Sequence, residues 1–215
     1  MALARVGFSA LLASLALGAA TLPNPAVDEN TSEKKSETAV FAGGCFWGVE
    51  AVFDAVRGVS DAASGYAGGS KATAVYEAVS TGATGHAESV QITYDPSQIS
   101  FGQLLKIYFS VAHDPTELNR QAPDEGTQYR SEIFYTSEEQ KRIAEAYIQQ
   151  LTAAKAFRRP IVTKVAPLKA FYRAEEYHQD FVAKNPRQGY VAYNDLPKLE
   201  KLRKQMPEVV KGAKP

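Results

Sequence analysis

The stretch Ala42-Gly43-Gly44-Cys45-Phe46-Trp47-Gly48-Val49-Glu50 constrains the fold more than any other, and it holds the chain's single cysteine and single tryptophan. Ahead of it, Thr38 to Phe41 alternates and is β-branched and aromatic, the pattern of a strand. Behind it, Phe46, Val49, Val52, Phe53 and Val56 recur at helical spacing. Two glycines at the junction permit a tight turn and close backbone approach. Cys45 therefore belongs where a strand hands over to a helix. A helix N-terminus carries unpaired amide hydrogens and roughly half a positive charge. That environment favours the thiolate, which is the nucleophilic form. A free cysteine is equally at home as a buried structural thiol, so position alone leaves both readings open. The neighbouring Phe46 and Trp47 argue for a pocket, because adjacent aromatics are costly to expose.

With 215 residues and 45% hydrophobic content, the chain can bury a full core without a disulfide or metal to staple it. The formal net charge is zero, which removes the electrostatic case for nucleic acid or an anionic membrane as partner. No internal repeat is visible.

The first twenty residues read as a targeting segment. Met1 to Arg5 carries one positive charge, Val6 to Ala20 is apolar and small, and Gly18-Ala19-Ala20 offers the small residues a signal peptidase reads. The expectation is a signal peptide over 1–20 and an exported protein, periplasmic or secreted, with a retained N-terminal anchor as the alternative. Residues 21–37 are polar with Pro23 and Pro25 and read as a flexible linker. A single catalytic domain then spans 38–215, with a C-terminal tail from about 190. Exported proteins usually pair their cysteines. A lone cysteine in an oxidising compartment is either buried or reactive.

Along the domain, Val59 to Ser80 is glycine-rich and strand-like, with Gly65-Tyr66-Ala67-Gly68-Gly69 marking a turn or a close approach. Tyr76 to Ser80 reads as a short extended segment. Ala87 to Tyr94 alternates, so Glu88, Val90, Ile92 and Tyr94 share one strand face. A carboxyl on that face is desolvated and held protonated, as a general acid requires. A strand-end glutamate open to water is the competing reading. Ser100 to Gln103 is a capping box that opens an amphipathic helix to Ala112. His113 to Gln128 is a long polar loop of the functional or disordered kind. Tyr129 to Thr136 reads as a strand, and Ser137 to Gln140 as a second capping box opening a helix to about Phe157. Ile161 to Val165 reads as a strand, and Ala174 to Lys184 as a short helix carrying His178. The charges around Leu196 to Met206 read as a solvated helix face. His86, His113 and His178 share no metal-binding spacing with one another or with Cys45, so no metal site is expected.

Taken together, several motifs carry a resemblance. They are Gly-Cys-Phe-Trp-Gly-Val-Glu at 44–50, Gly-Tyr-Ala-Gly-Gly at 65–69, Thr-Gly-His-Ala-Glu at 84–88, Tyr-Asp-Pro at 94–96, His-Asp-Pro-Thr at 113–116, Gly-Thr-Gln-Tyr-Arg-Ser at 126–131 and Tyr-His-Gln at 177–179. In this order, from about Thr38 to Tyr190, they resemble peptide methionine sulfoxide reductase of the A type. The resemblance implies a two-layer α/β sandwich around a mixed central sheet, a ferredoxin-like core, with the nucleophile at a strand-to-helix junction. It implies that Cys45 attacks sulfur, that Phe46 and Trp47 hold the substrate methyl group, and that Glu88 protonates the sulfoxide oxygen. Tyr76 and Tyr129 match the phenols that bond that oxygen. Asp124 matches a polar residue of the same pocket, and His178 a histidine near it. The activity implied is reduction of the S epimer of methionine sulfoxide, free or in proteins, in repair of oxidised proteins. It needs no bound cofactor, only an external thiol such as thioredoxin or a small dithiol.

The pattern departs from the commonest one in the family. Gly189-Tyr190 is followed by Val191 where many members carry a resolving cysteine, and Ser80 stands where some have a further one. An internal disulfide relay is therefore impossible, and the chain resembles the one-cysteine subtype. Two other classes compete with this reading: a cysteine hydrolase using Cys45, His178 and Asp124 as nucleophile, base and orienter, and a non-catalytic domain that binds oxidised methionine in an aromatic cleft.

Overall fold

The computed structural model describes residues 21–30 and 36–212; the expected signal segment, 1–20, lies outside them. The centre is a six-stranded sheet in the order β7-β6-β1-β3-β2-β8. Its members are β1 (Glu37–Ala42), β2 (Val59–Ala67), β3 (Ala87–Tyr94), β6 (Glu132–Tyr135), β7 (Lys164–Pro167) and β8 (Phe171–Arg173). The β6–β7 pair is parallel and every other pair is antiparallel, so the sheet is mixed as expected.

Strand alternation sorts side chains onto two faces. Ala39 and Phe41 of β1, with Val90, Ile92 and Tyr94 of β3, join the main core. Val40, Ala42 and Ala87 point the other way into a smaller cluster with Phe134. The main face is covered by α1 (Phe46–Asp54), α3 (Phe101–Ile107) and α4 (Glu138–Ala153). Aromatic rings bind the layers together: Phe41 meets Phe53 at 5.6 Å, Phe101 at 5.9 Å and Tyr108 at 4.9 Å between ring centroids. Such pairs add about 0.5–1.5 kcal/mol each beyond burial.

Several local expectations change. The Ser100 capping box is complete, with Ser100 Oγ accepting from the Gln103 amide and Gln103 returning the bond. The Ser137 box is half made. Ser137 Oγ accepts from the Gln140 amide, but the Gln140 side chain bonds the Thr136 amide and the Thr38 carbonyl instead. Burial of Gln140 beside β1 offers those tertiary partners. Tyr76 to Val79 is a helical turn, α2, not an extended segment. Ala174 to Lys184 is not one helix. A tight turn over Glu176–His178 and α5 (Phe181–Lys184) are separated by Asp180, whose φ is +54°. There Gln179 bonds the Ser64 and Ala174 backbones, and the Asp180 amide bonds Glu50, so tertiary bonds replace the helical ladder. The strand expected at Ile161 to Val165 forms slightly later, as β7.

Residues 21–30, read as part of a flexible linker, are seated on the domain. Asp28 accepts from Ser100 Oγ and the Gly102 amide, Glu29 accepts from the Phe101 amide, and Pro23 accepts from Tyr147. This strap binds the amides at the start of α3, which the helix itself cannot satisfy. The C-terminal segment is equally integral. A wide turn over Val191–Asp195 runs into α6 (Leu196–Gln205), which buries Leu202 against the core. No helix among the described residues is long and apolar enough to cross a membrane.

Candidate active site

The β1–α1 junction is built by glycine. Gly44 has φ +89°, and a Cβ there would meet Gln121 Cβ at 2.6 Å. A Cβ on Gly43 would stand 2.9 Å from His113 Cγ. The loop expected at His113 to Gln128 therefore packs directly on this turn. It is ordered as a small ribbon, β4 (Arg120–Gln121) with β5 (Asp124–Glu125), followed by a turn over Thr127–Tyr129. Gln121 clasps the Asp114 backbone through two hydrogen bonds, and Arg130 ties the Thr127, Gly85 and His86 carbonyls together. The segments bearing Asp124, Tyr129 and Glu88 are thus fixed to one another.

Cys45 occupies the N-cap of α1 and is 8% exposed. The expectation that the helix end favours its thiolate is corrected. Burial pushes the thiol well above its ordinary value, and the Glu88 and Asp195 carboxylates push the same way. The Trp47 backbone amide and Lys198 oppose them without prevailing. Roughly half a charge at a helix end does not offset removal of the thiolate from water.

Glu88 is 2% exposed, and its Oε2 accepts from the Phe46 amide at 3.0 Å. Burial raises its carboxyl to about 8; the Phe46 amide lowers it, and Asp124 adds to the rise. The reading of Glu88 as a desolvated acid holds over that of an exposed strand end. Tyr76 and Tyr129 are half-buried, and burial raises both phenols, with Glu88, Cys45 and Asp124 contributing in each case. These five side chains therefore lie within electrostatic reach of one another.

The aromatic wall is rigid. Trp47 stacks on Phe181 at 3.7 Å and 9°, and its edge meets Tyr190 at 5.8 Å. Phe46 lies 5.0 Å from the His178 ring, and Tyr76 lies 4.6 Å from it. The Trp47 indole donates to His178 Nδ1 at 3.0 Å. His178 is buried, which lowers its affinity for a proton. It therefore serves as a neutral acceptor that orients the indole. Tyr190 donates to Asp124 Oδ2, so Asp124 is held by a phenol and not by an imidazole. The nucleophile–base–orienter arrangement of Cys45, His178 and Asp124 is not assembled, and the hydrolase alternative loses its footing.

Sequence reasoning did not single out Tyr190, Phe181 or Asp195. Tyr190 follows Gly189 in the Gly-Tyr pair, which was a usable signal; Phe181 and Asp195 carry none without the fold. His86 bonds the Gly69 amide and the Ser70 carbonyl, and His113 bonds Ser131 Oγ and the Tyr108 carbonyl, so both are structural. Among the described residues, the group able to hold a cation is Glu50, Asp54 and Asp180, with carboxylate oxygens within 4.8 Å of one another. Glu50 is already engaged there by Ser64 Oγ and the Asp180 amide.

Comparison with known proteins agrees with this geometry. The peptide methionine sulfoxide reductase family profile matches residues 37–210. The chain belongs to the peptide methionine sulfoxide reductase family. It is 56% identical over 194 residues to peptide methionine sulfoxide reductase MsrA 2 of Synechocystis, covering 89% of this chain and 91% of that one. It is 62% identical over 172 residues to the MsrA 2 of Mesorhizobium japonicum, covering 80% and 88%. Among solved structures, reduced Mxr1 of Saccharomyces cerevisiae superposes with a TM-score of 0.66 at 35% identity, over 75% of this chain and 91% of that one. Methionine sulfoxide reductase A of Corynebacterium diphtheriae gives 0.62 at 35% identity, over 78% and 84%. The α/β fold read from the sequence is thus the fold of this family.

Proposed function

We propose that this chain reduces the S epimer of methionine sulfoxide, free or in proteins, to methionine, as a peptide-methionine (S)-S-oxide reductase that repairs oxidised proteins. The observation that carries the reading is the meeting of one nucleophile with one neutral acid. Cys45 caps α1, and the Glu88 carboxyl, with its pKa raised to about 8, bonds the next amide.

The chemistry follows from that pairing. A sulfoxide sulfur becomes electrophilic when its oxygen is protonated or hydrogen-bonded. Glu88 gives a proton to the oxygen, and the Tyr76 and Tyr129 hydroxyls stabilise the charge developing there. Cys45 sulfur attacks the sulfoxide sulfur, and the thiol proton makes good the one Glu88 gave. The sulfur–oxygen bond of the substrate and the new sulfur–sulfur bond then break as the oxygen passes to the Cys45 sulfur. Methionine leaves reduced by two electrons, and Cys45 is left as a sulfenic acid, oxidised by two. Phe46 and Trp47 seat the methyl group, which gives a chiral sulfoxide one productive orientation.

With no second cysteine in the chain, an external thiol must condense with the sulfenic acid, releasing water, and a further thiol then frees Cys45. A thioredoxin-like protein or a small dithiol has the required chemistry. The apolar Val6 to Ala20 stretch and the small residues ending at Ala20 support export to a periplasmic or secreted location. The test is a dithiothreitol-coupled assay with each epimer of methionine sulfoxide. The expected result is methionine from the S epimer alone, lost in Cys45→Ser. Activity retained in Cys45→Ser would overturn the assignment.

A further inference from the structure

One buried charge near the site has no part in this chemistry. Asp195 is 0% exposed, and neither carboxyl oxygen has a hydrogen-bond donor among the described residues; the nearest cation is Lys198 Nζ, 3.5 Å from Oδ1. Asp195 is the last residue of the wide turn over Val191–Asp195 and has helical backbone angles (φ −102°, ψ −45°), so the chain runs into α6 without a free helix start for it to cap. Its side chain makes no bond to the amides of α6. It turns instead onto the first turn of α1. A Cβ built on Gly48 would lie 2.2 Å from Asp195 Oδ1 and 2.7 Å from Lys198 Nζ. The ion pair thus fills the space a side chain on Gly48 would take, three residues past Cys45.

A carboxylate buried with one long ammonium contact as its partner is costly, and its retention needs a reason. Its position supplies one. A negative charge laid on the N-terminal turn draws on the same partial positive charge that would assist a Cys45 thiolate, while the adjacent ammonium does the reverse. We propose that Asp195 and Lys198 are positioning residues that act through α1 to set how readily Cys45 gives up its proton, holding it as a thiol between turnovers. The proposal rests on Cys45 being the nucleophile.

Cys45 faces the Glu88 and Asp195 carboxyls, the Lys198 ammonium and the Tyr76, Tyr129 and Tyr190 phenols. Asp195 faces Lys198, Asp124 and the Tyr190 phenol. Burial raises Asp195 to about 6, so it is largely ionised at pH 7 and its charge is available to oppose the thiolate.

The test uses the fact that Cys45 is the single cysteine, so alkylation of the whole protein reports on it alone. Iodoacetamide labelling is followed from pH 6 to 10 in wild type, Asp195→Asn, Lys198→Met and the double variant. Below its pKa the thiolate fraction changes about tenfold for each unit by which the pKa moves. Asp195→Asn is expected to move the profile to lower pH and raise the labelling rate at pH 7 by about 3–10-fold. Lys198→Met is expected to move it the other way at the alkaline end of the range, where Asp195 stays ionised without its ammonium, and the double variant to return toward wild type. The thiol lies below its pKa across this range, so at its alkaline end the two single variants should differ from wild type by opposite fold-changes that do not vary with pH, whereas a loosened fold would raise labelling in both. Profiles that superimpose on wild type would overturn the proposal. If Asp195→Asn does not fold by circular dichroism, the half-buried Lys198→Met decides the matter by the same criterion. Sulfoxide reduction surviving in Cys45→Ser would sink the parent reading. Its loss there, with superimposed labelling profiles, would sink this inference alone.

Discussion

Replacing Glu88 by Gln tests the acid more sharply than any other change. The amide oxygen of Gln can still accept from the Phe46 amide, so the 3.0 Å bond that seats the side chain is kept and the fold should persist. What is lost is the proton. Glu88 holds it to about pH 8, against 4.5 for an ordinary glutamate. At about 1.4 kcal/mol per unit, that rise means ionisation in this site costs on the order of 5 kcal/mol. Two results follow. The rate of methionine formation should fall by roughly 10²–10⁴, the usual contribution of a positioned general acid. The decline of wild-type activity as pH rises through about 8, where the acid form disappears, should be absent from the variant. Stability carries the same signature with a definite sign. Between 4.5 and about 8 the unfolded chain releases this proton while the folded chain keeps it, so wild-type stability falls with rising pH in that window. Gln has no proton to release. Denaturant melts at pH 5 and pH 8 should therefore show Glu88→Gln gaining on wild type by about 3–4 kcal/mol, the part of the full linkage that falls between those two pH values. An unchanged rate, or a variant that keeps the decline near pH 8, would remove Glu88 from the chemistry.

Other measurements reach other parts of the account. Without reductant, the protein should yield one methionine per Cys45 and stop, leaving a cysteine that gains one oxygen in intact mass and reacts with dimedone. Continued turnover well beyond one equivalent would refute the sulfenate cycle. Asp28→Ala removes the acceptor for Ser100 Oγ and the Gly102 amide, and it should lower stability by about 1–2 kcal/mol with little change in turnover; equal stability by denaturant titration would show that the strap contributes nothing. Mass spectrometry of exported protein should find the mature N-terminus near Thr21, and an intact Met1 in the cytoplasmic fraction would exclude cleavage.

Legibility varied with how local the deciding interaction is. The β1–α1 junction was readable because Gly43, Gly44 and the Phe46 to Val56 periodicity act within a dozen residues. Glu88 was readable because strand alternation fixes its face together with Val90 and Ile92. The Ser137 cap was half right: the serine bond is local, while the Gln140 side chain answered to Thr38, far away in the chain. The region around His178 was misread for the same reason. Helical propensity runs through Ala174 to Lys184, but buried bonds from Gln179 to Ser64 and from Asp180 to Glu50 outcompete it.

What the chain alone determined is the chemical inventory: one thiol at a helix start, aromatics beside it, a carboxyl on an apolar strand face, and no second thiol to resolve the product. These are properties of residue type and short-range period. The tertiary structure decided their protonation and partners. It pushed the Cys45 thiol above its ordinary value where the helix end alone would lower it, because the helix-end charge is small beside the cost of burial. It made His178 a support for the Trp47 indole, and it brought Tyr190 to Asp124 and Asp195 to the first turn of α1. Desolvation and long-range packing depend on what the rest of the chain lays over a residue, and that is settled only when the sheet, the loop and the C-terminal segment close on one another.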